Sequence, residues 1–343
     1  MIFQVFNTLI SFNKNITNST HAFLKLIRIE NLIIIALTQY LIRYCVIDSL
    51  LFVRTEFYIQ KLFLQVSTLT FNLLVLSTVF IAAAGYIIND YFDIKTDRIN
   101  HPETIVIDRF IKRRWAMIFH ISFNIIGILL GMYVANDVGN FQLSFIHIIS
   151  AGLLWHYSTT FKKQLLIGNI IVSFLSAMVP IMIMLFELPK VIETYTIMLP
   201  GITLNFLPIY KYIIAFFVFA FISSLIREII KDIEDFHGDE ETGCTTIPIK
   251  WGSKVAKTIV LSLITNIILL LSFVVYKLYS PQELLPTLYI ILGIIFPFIV
   301  LFYLVVKAQV SKDFNKASKL IKLIMLIGVC FSFIIYYLSN HAA

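Results

Sequence analysis

Apolar residues in this chain do not alternate with polar ones; they come in runs of about 20, separated by brief polar segments,. A helix of that length crosses the hydrocarbon of a bilayer. Nine runs stand out: 29–51, 62–88, 115–134, 142–158, 165–186, 210–230, 256–276, 284–306 and 320–339. The fourth is the shortest, and the first is interrupted by Arg43. The segments between runs are too short to form a separate soluble domain. The pattern predicts an all-α integral membrane protein with about nine transmembrane helices, residues 1–343 forming one polytopic domain,.

Composition agrees, with 59% hydrophobic and 14% charged residues, far from soluble averages. The N-terminus, Met1 to Phe6, has no basic region and no small-residue cleavage site, so a cleaved signal peptide is not expected, and residues 1–28 read as a cytoplasmic or interfacial segment,. Cys45, Cys244 and Cys330 are scattered without metal-ligand spacing and read as isolated thiols,.

Lysine and arginine placement sets the orientation. The loop after the second run carries Lys95, Arg98, Arg109, Lys112, Arg113 and Arg114; the loop after the fourth carries Lys162 and Lys163. Lys231, Lys250 and Lys254 follow the sixth run, and Lys307, Lys312, Lys316 and Lys319 the eighth. The loop after the third run and the tail after the ninth carry none. Even-numbered loops and the N-terminus are therefore expected in the cytoplasm, as in a multi-pass protein of the cell (inner) membrane. This asymmetry also accounts for the formal charge of +7 without a nucleic-acid partner.

Two acidic clusters break the apolar background. Asn89, Asp93 and Asp97 follow the second run at intervals of four, along one helical face,. Glu228, Asp232, Asp235 and Asp239 follow the sixth run in a 4-3-4 rhythm, again one face. Both clusters follow even-numbered runs, so both emerge on the cytoplasmic side and can face each other across a central cavity. Carboxylates this close to hydrocarbon are costly and mark a site that handles charge.

Oxygen ligands without histidine or cysteine suit a hard cation, and Mg²⁺ where phosphate is also present. Mg²⁺ shared between clusters would bridge a diphosphate and make it a better leaving group. Arg28, Lys95, Arg98, Lys162 and Lys231 all lie at cytoplasmic helix ends, ready to complete the clamp. Aromatic faces would shield an allylic cation from water. A rival reading is a cation transporter with acidic ligands. Transporters place such groups near the bilayer midplane on broken helices, whereas these clusters lie at helix ends among basic residues.

The run Asn89-Asp90-x-x-Asp93-x-x-x-Asp97 before a basic loop, with Asp235-x-x-x-Asp239 after the sixth run, resembles the UbiA superfamily of intramembrane prenyltransferases. Tyr157-Ser158-x-x-x-Lys162, Gly168-Asn169, Arg28 and Asn31 fit the same resemblance, which covers roughly residues 20 to 340. It implies that Asn89, Asp93, Asp97, Asp235 and Asp239 hold Mg²⁺ and carry catalysis. It further implies that Arg28, Asn31, Asp90, Lys95, Arg98, Tyr157, Lys162, Asn169 and Lys231 contact substrate. The reaction implied is prenyl transfer from a polyprenyl diphosphate to a lipophilic acceptor within membrane lipid.

Where many members continue with a basic-Pro-x-Pro-Ser-Gly stretch, this chain reads His101-Pro102-Glu103-Thr104-Ile105-Val106-Ile107-Asp108. Arg227 to Asp235 and Asn89 to Asp93 look most like the members that add a geranylgeranyl group to geranylgeranylglyceryl phosphate, with Lys231 at that acceptor's phosphate. An aromatic quinone precursor is the alternative acceptor. The small-residue run Ala82-Ala83-Ala84-Gly85 admits either a neighbouring helix or a prenyl chain,.

Overall fold

The computed structural model describes residues 19–54, 59–278 and 284–341. Residues 1–18, most of the expected interfacial segment, lie outside the described residues. A short helix, α1, covers residues 19–26. Arg28, at φ 51°, then turns the chain into α2 (Ile29–Leu41), which continues through a π-helical stretch (Ile42–Ile47) and a last turn (Asp48–Leu50). A small antiparallel hairpin follows, β1 (Phe52–Arg54) with β2 (Ile59–Lys61), in which Phe52 faces Lys61. Among the described residues it is the one β-sheet, beside an isolated bridge between Ile107 and Ile111.

The helices that follow are α3 (Thr68–Asn100), α4 (Arg113–Asp137), α5 (Ser144–Thr159), α6 (Ile167–Met198) and α7 (Leu207–Glu234). Two short helices, α8 (Phe236–Glu241) and α9 (Ile247–Trp251), lead to α10 (Ser253–Leu278). The chain closes with α11 (Leu284–Lys307), π-helical over Tyr289–Ile295, and α12 (Ser311–His341). Among the described residues eight helices are long and apolar enough to cross a membrane. The ninth, α5, has 16 residues.

Each apolar run is helical over most of its length, and several of the helices overrun the hydrocarbon. With 33 residues, α3 is about 50 Å long against a hydrocarbon thickness of about 30 Å. Its polar last turns, Asn89 to Asn100, extend the rod instead of ending it. The second run starts later than its first apolar residue. Ser67 caps α3 by accepting a hydrogen bond from the Thr70 N–H,. Residues 62–66 instead lie along neighbouring elements, with the Leu62 N–H on the Leu51 carbonyl at 2.9 Å.

The most deeply buried ion pair among the described residues fixes that return. Arg43 Nε donates to Glu187 Oε2 at 3.1 Å, with the two side chains 2% and 3% exposed. Glu187 Oε1 also accepts the N–H groups of Gln65 and Val66, at 2.7 and 2.9 Å, while Arg43 donates to the Val66 carbonyl. The charge that interrupted the first apolar run is thus neutralised by α6 and tied to backbone. Elsewhere close packing rests on glycine: a Cβ at Gly127 of α4 would come within 2.7 Å of Ile81 and 3.1 Å of the Ser77 carbonyl on α3,. Ser77 uses that closeness to donate to the Gly127 carbonyl at 2.6 Å.

Candidate active site

A cavity of about 660 Å³ opens among α2, α3, α5, α6, α7 and α12. Asn89, Asp93 and Asp97 reach it from α3, Asp235 from the break after α7 and Asp239 from α8. The two acidic motifs, more than a hundred residues apart in sequence, therefore meet at one end of one cavity. The rest of the wall is mainly apolar, including Ile81, Leu154, Leu175, Met178, Phe216 and Phe219.

The second motif is not one continuous helix. The α7 helix ends at Glu234, Asp235 leaves helical geometry at φ −92° and ψ 9°, and α8 begins at Phe236. The 4-3-4 rhythm expected to keep all four acids on one face is therefore interrupted at Asp235. Asn100 of α3 holds the break, donating to the Asp235 carbonyl and accepting the Gly238 N–H, both at 2.9 Å. A Cβ at Gly238 would fall 2.4 Å from that amide, so the clasp needs glycine. The His101 ring lies 2.8 Å from Asp235 Oδ1, and this hydrogen bond holds the imidazole above its ordinary pKa.

Lys162, on the turn after α5, forms an ion pair with Asp93. Burial works against its charge, but Asp93, with Tyr157 and Asp97, outweighs burial and keeps its pKa well above the usual lysine value. Asn89 Nδ2 also donates to Asp93, at 2.7 Å. Arg28 Nη2 pairs with Asp90 at 2.8 Å and lies over the Tyr86 ring. Burial pushes the Asp239 carboxyl up to about 7; Lys162 opposes the shift, and Asp235 and Asp93 add to it.

Several expected substrate contacts are at the cavity: Arg28, Asn31, Asp90, Tyr157, Lys162 and Lys231 all line it. Lys95 and Arg98 do not. Lys95 is exposed, and Arg98 is exposed and lies 3.8 Å from Asp108. Lys95 is two residues from both Asp93 and Asp97, about 200° around the helix, and so faces away from them. Asn169 is one step removed, donating to Asp232 Oδ2 at 2.7 Å. Asp232 is occupied by that amide and Glu228 by Arg227, at 2.8 Å.

Sequence spacing did not bring forward His101, Asn100 or the α12 residues Asn315, Ser318 and Lys322, which the fold delivers to the mouth or its frame. The α12 residues carry no legible signal, because Lys312, Asp313, Lys316 and Lys319 make the first turns of that helix polar on other faces too. Thr104 to Ile107, in the stretch that departs from the family pattern, also line the cavity.

The donor set fits a hard divalent cation. It is all oxygen, and Asn89 Oδ1 is buried with no hydrogen-bond partner beside Asp93, an unmet acceptor that a cation would satisfy. Among the described residues no three acidic, histidine or cysteine side chains converge into an all-protein cage. Mg²⁺ generally takes only one or two carboxylates and fills its other positions with water and substrate phosphate.

Comparison with known proteins gives one consistent result. The profile of the UbiA prenyltransferase family matches residues 62–338. A digeranylgeranylglyceryl phosphate synthase of Methanobrevibacter smithii is 31% identical over 259 residues, 75% of this chain and 83% of its own length. Its namesake in Methanosphaera stadtmanae is 30% identical over 253 residues, 73% of this chain and 82% of its own length. A solved digeranylgeranylglyceryl phosphate synthase superposes with a TM-score of 0.60 at 23% identity, covering 92% of this chain and 99% of its own. A UbiA homolog from Archaeoglobus fulgidus bound to DMAPP and Mg²⁺ superposes at 0.51 and 15% identity, with the same coverage. At these identities the two structures bear on the fold alone.

Proposed function

The chain belongs to the UbiA prenyltransferase family, and we propose that it transfers a geranylgeranyl group from its diphosphate to geranylgeranylglyceryl phosphate. The observation that carries this reading is the meeting of both acidic motifs and Lys162 at one end of a cavity whose remaining wall is mainly apolar. That is the shape of a charged head with a long hydrocarbon tail. The two relatives described above are named for the glyceryl phosphate reaction, and the Archaeoglobus homolog binds a prenyl diphosphate with Mg²⁺.

In this reading Asn89, Asp93, Asp97, Asp235 and Asp239 hold Mg²⁺. When bound, the metal neutralises the diphosphate and eases its departure. Lys162 adds a fixed positive charge at the same place, held there by Asp93. Arg28, anchored by Asp90, lines the same mouth and offers the donors suited to phosphate oxygens. His101 and Asn100 hold the second motif in position. The apolar wall excludes water from the allylic carbon, so as its bond to the diphosphate breaks the acceptor hydroxyl oxygen bonds to it and gives up its proton to the departing diphosphate. By the placement of lysine and arginine, the mouth and the N-terminus lie in the cytoplasm.

The test offers purified protein geranylgeranyl diphosphate and Mg²⁺ with a panel of acceptors and identifies the product by mass. Digeranylgeranylglyceryl phosphate is the expected product. Prenylation of 4-hydroxybenzoate or a naphthoate instead would move the acceptor to the aromatic class while leaving prenyl transfer in place.

A further inference from the structure

The α12 helix forms a wall of the cavity mouth that the proposed chemistry leaves unused. Asn315, Ser318, Lys322, Met325 and Val329 all line the cavity, and their intervals of three and four place them on one helical face. The face changes along its length, from an amide, a hydroxyl and an ammonium to two apolar side chains. On the adjacent α7, Lys231 lines the same cavity. Among the described residues Arg227 is paired with Glu228 at 2.8 Å, whereas Lys231 makes no ion pair. Arg227, which carries the same charge, lies one turn before Lys231 on α7,. Lys322 is held at 3.2 Å by Glu30, whose side chain is 84% open to solvent. An exposed pair of this kind is weak and yields readily to a better anion.

We propose that Lys231 and Lys322, with Ser318 and the Asn315 amide, form the subsite for the phosphate monoester of the acceptor, its hydrocarbon following Met325 and Val329 inward. Asn315 is oriented for this by donating one of its two N–H bonds to Glu234 at 2.6 Å. These four residues belong to α7 and α12, whereas Asn89, Asp93 and Lys162, which form the diphosphate end, belong to α3 and the turn after α5. This inference rests on the glyceryl phosphate reading and adds to it the residues that would recognise the head group.

The test compares wild type with Lys231→Met, Lys322→Met and Lys322→Arg in steady state. The donor is geranylgeranyl diphosphate; geranylgeranylglyceryl phosphate serves as acceptor, and geranylgeranylglycerol as acceptor and competitive inhibitor. Losing one charge-assisted contact raises the KM for the phosphorylated acceptor roughly tenfold to a hundredfold. The donor KM and the constants for geranylgeranylglycerol stay at wild-type values, and Lys322→Arg keeps the low acceptor KM. A raised donor KM, an equal loss with both glycerol compounds, or no change in either methionine variant overturns the subsite while leaving the proposed function standing. If wild type prenylates neither glycerol compound, the functional reading falls and the subsite with it.

Discussion

The Asp93 carboxylate is held from two sides, by Asn89 at 2.7 Å and by Lys162. Both neighbours are groups that a bound metal and diphosphate would engage in turn. Asp93→Ala and Asp235→Ala are each expected to lower turnover by about 10² to 10³, the usual effect of removing one preorganised charge-stabilising group. Yield and thermal stability should stay near wild type. A chelator should have the same effect and added Mg²⁺ should reverse it; full activity in both variants would remove the metal assignment. His101 tests a subtler role. It holds Asp235 at 2.8 Å, and partners that orient ligands typically contribute about tenfold to a hundredfold in metal affinity. His101→Ala should therefore raise the Mg²⁺ concentration needed for half-maximal activity by about that factor, with activity largely recovered at saturating Mg²⁺. Residues four apart announce themselves in sequence, as Asn89, Asp93 and Asp97 did. The His101 to Asp235 contact does not, because it joins points 134 positions apart and depends on how α3 packs against α8.

At the scale of elements, apolar run length located the membrane helices, because hydrocarbon thickness fixes how much apolar helix a crossing needs. It located their ends less well, since the α3 helix continues through its polar turns and the α7 helix breaks at Asp235. Both deviations have tertiary causes, including the Asn100 clasp. The small-residue run on α3 turns out to serve two neighbours. Ala82 and Gly85 line the cavity, while Ala84 is fully buried and its carbonyl lies 2.9 Å from the His120 ring. Gly85 also faces Leu154, where a Cβ would come within 2.9 Å of a flexible methyl. Ala82→Leu is expected to favour shorter prenyl diphosphates in a competition assay while the protein stays folded. Ala84→Leu should cost about 1 to 3 kcal/mol through overpacking and lower the thermal midpoint without a new chain preference. The opposite assignment of effects would mean that the tail runs elsewhere. Glu187 links α2, α6 and the segment before α3. Glu187→Ala strands Arg43 in the interior and leaves two backbone N–H groups unpaired, so a loss of about 3 to 5 kcal/mol is expected. The thermal midpoint in detergent reads it.

For the whole molecule, the meeting of the acidic motifs constrains how the chain is threaded. The α5 helix, at 16 residues, is about 24 Å long, shorter than the hydrocarbon it would cross, and by length alone it is the doubtful crossing. Yet Asp93 and Asp97 lie near the end of α3, and Asp235 just past the end of α7, and all three line one end of the cavity. Starting from the end of α3, the chain must make an even number of crossings to return there by the end of α7. With α4, α5, α6 and α7 all crossing, it does. Without α5 the two motifs would finish on opposite sides, which their shared cavity contradicts. Lys162 gives the same answer, because it follows α5 and pairs with Asp93 at the same end. The turn between α4 and α5 should therefore face away from the cytoplasm. In a variant lacking Cys45, Cys244 and Cys330, a cysteine at Asn140 should react with an impermeant maleimide added to intact cells. One at Lys163 should react only after the membrane is opened. The reverse pattern would invert the orientation drawn from lysine and arginine, whereas labelling of both positions from one side would contradict the threading itself.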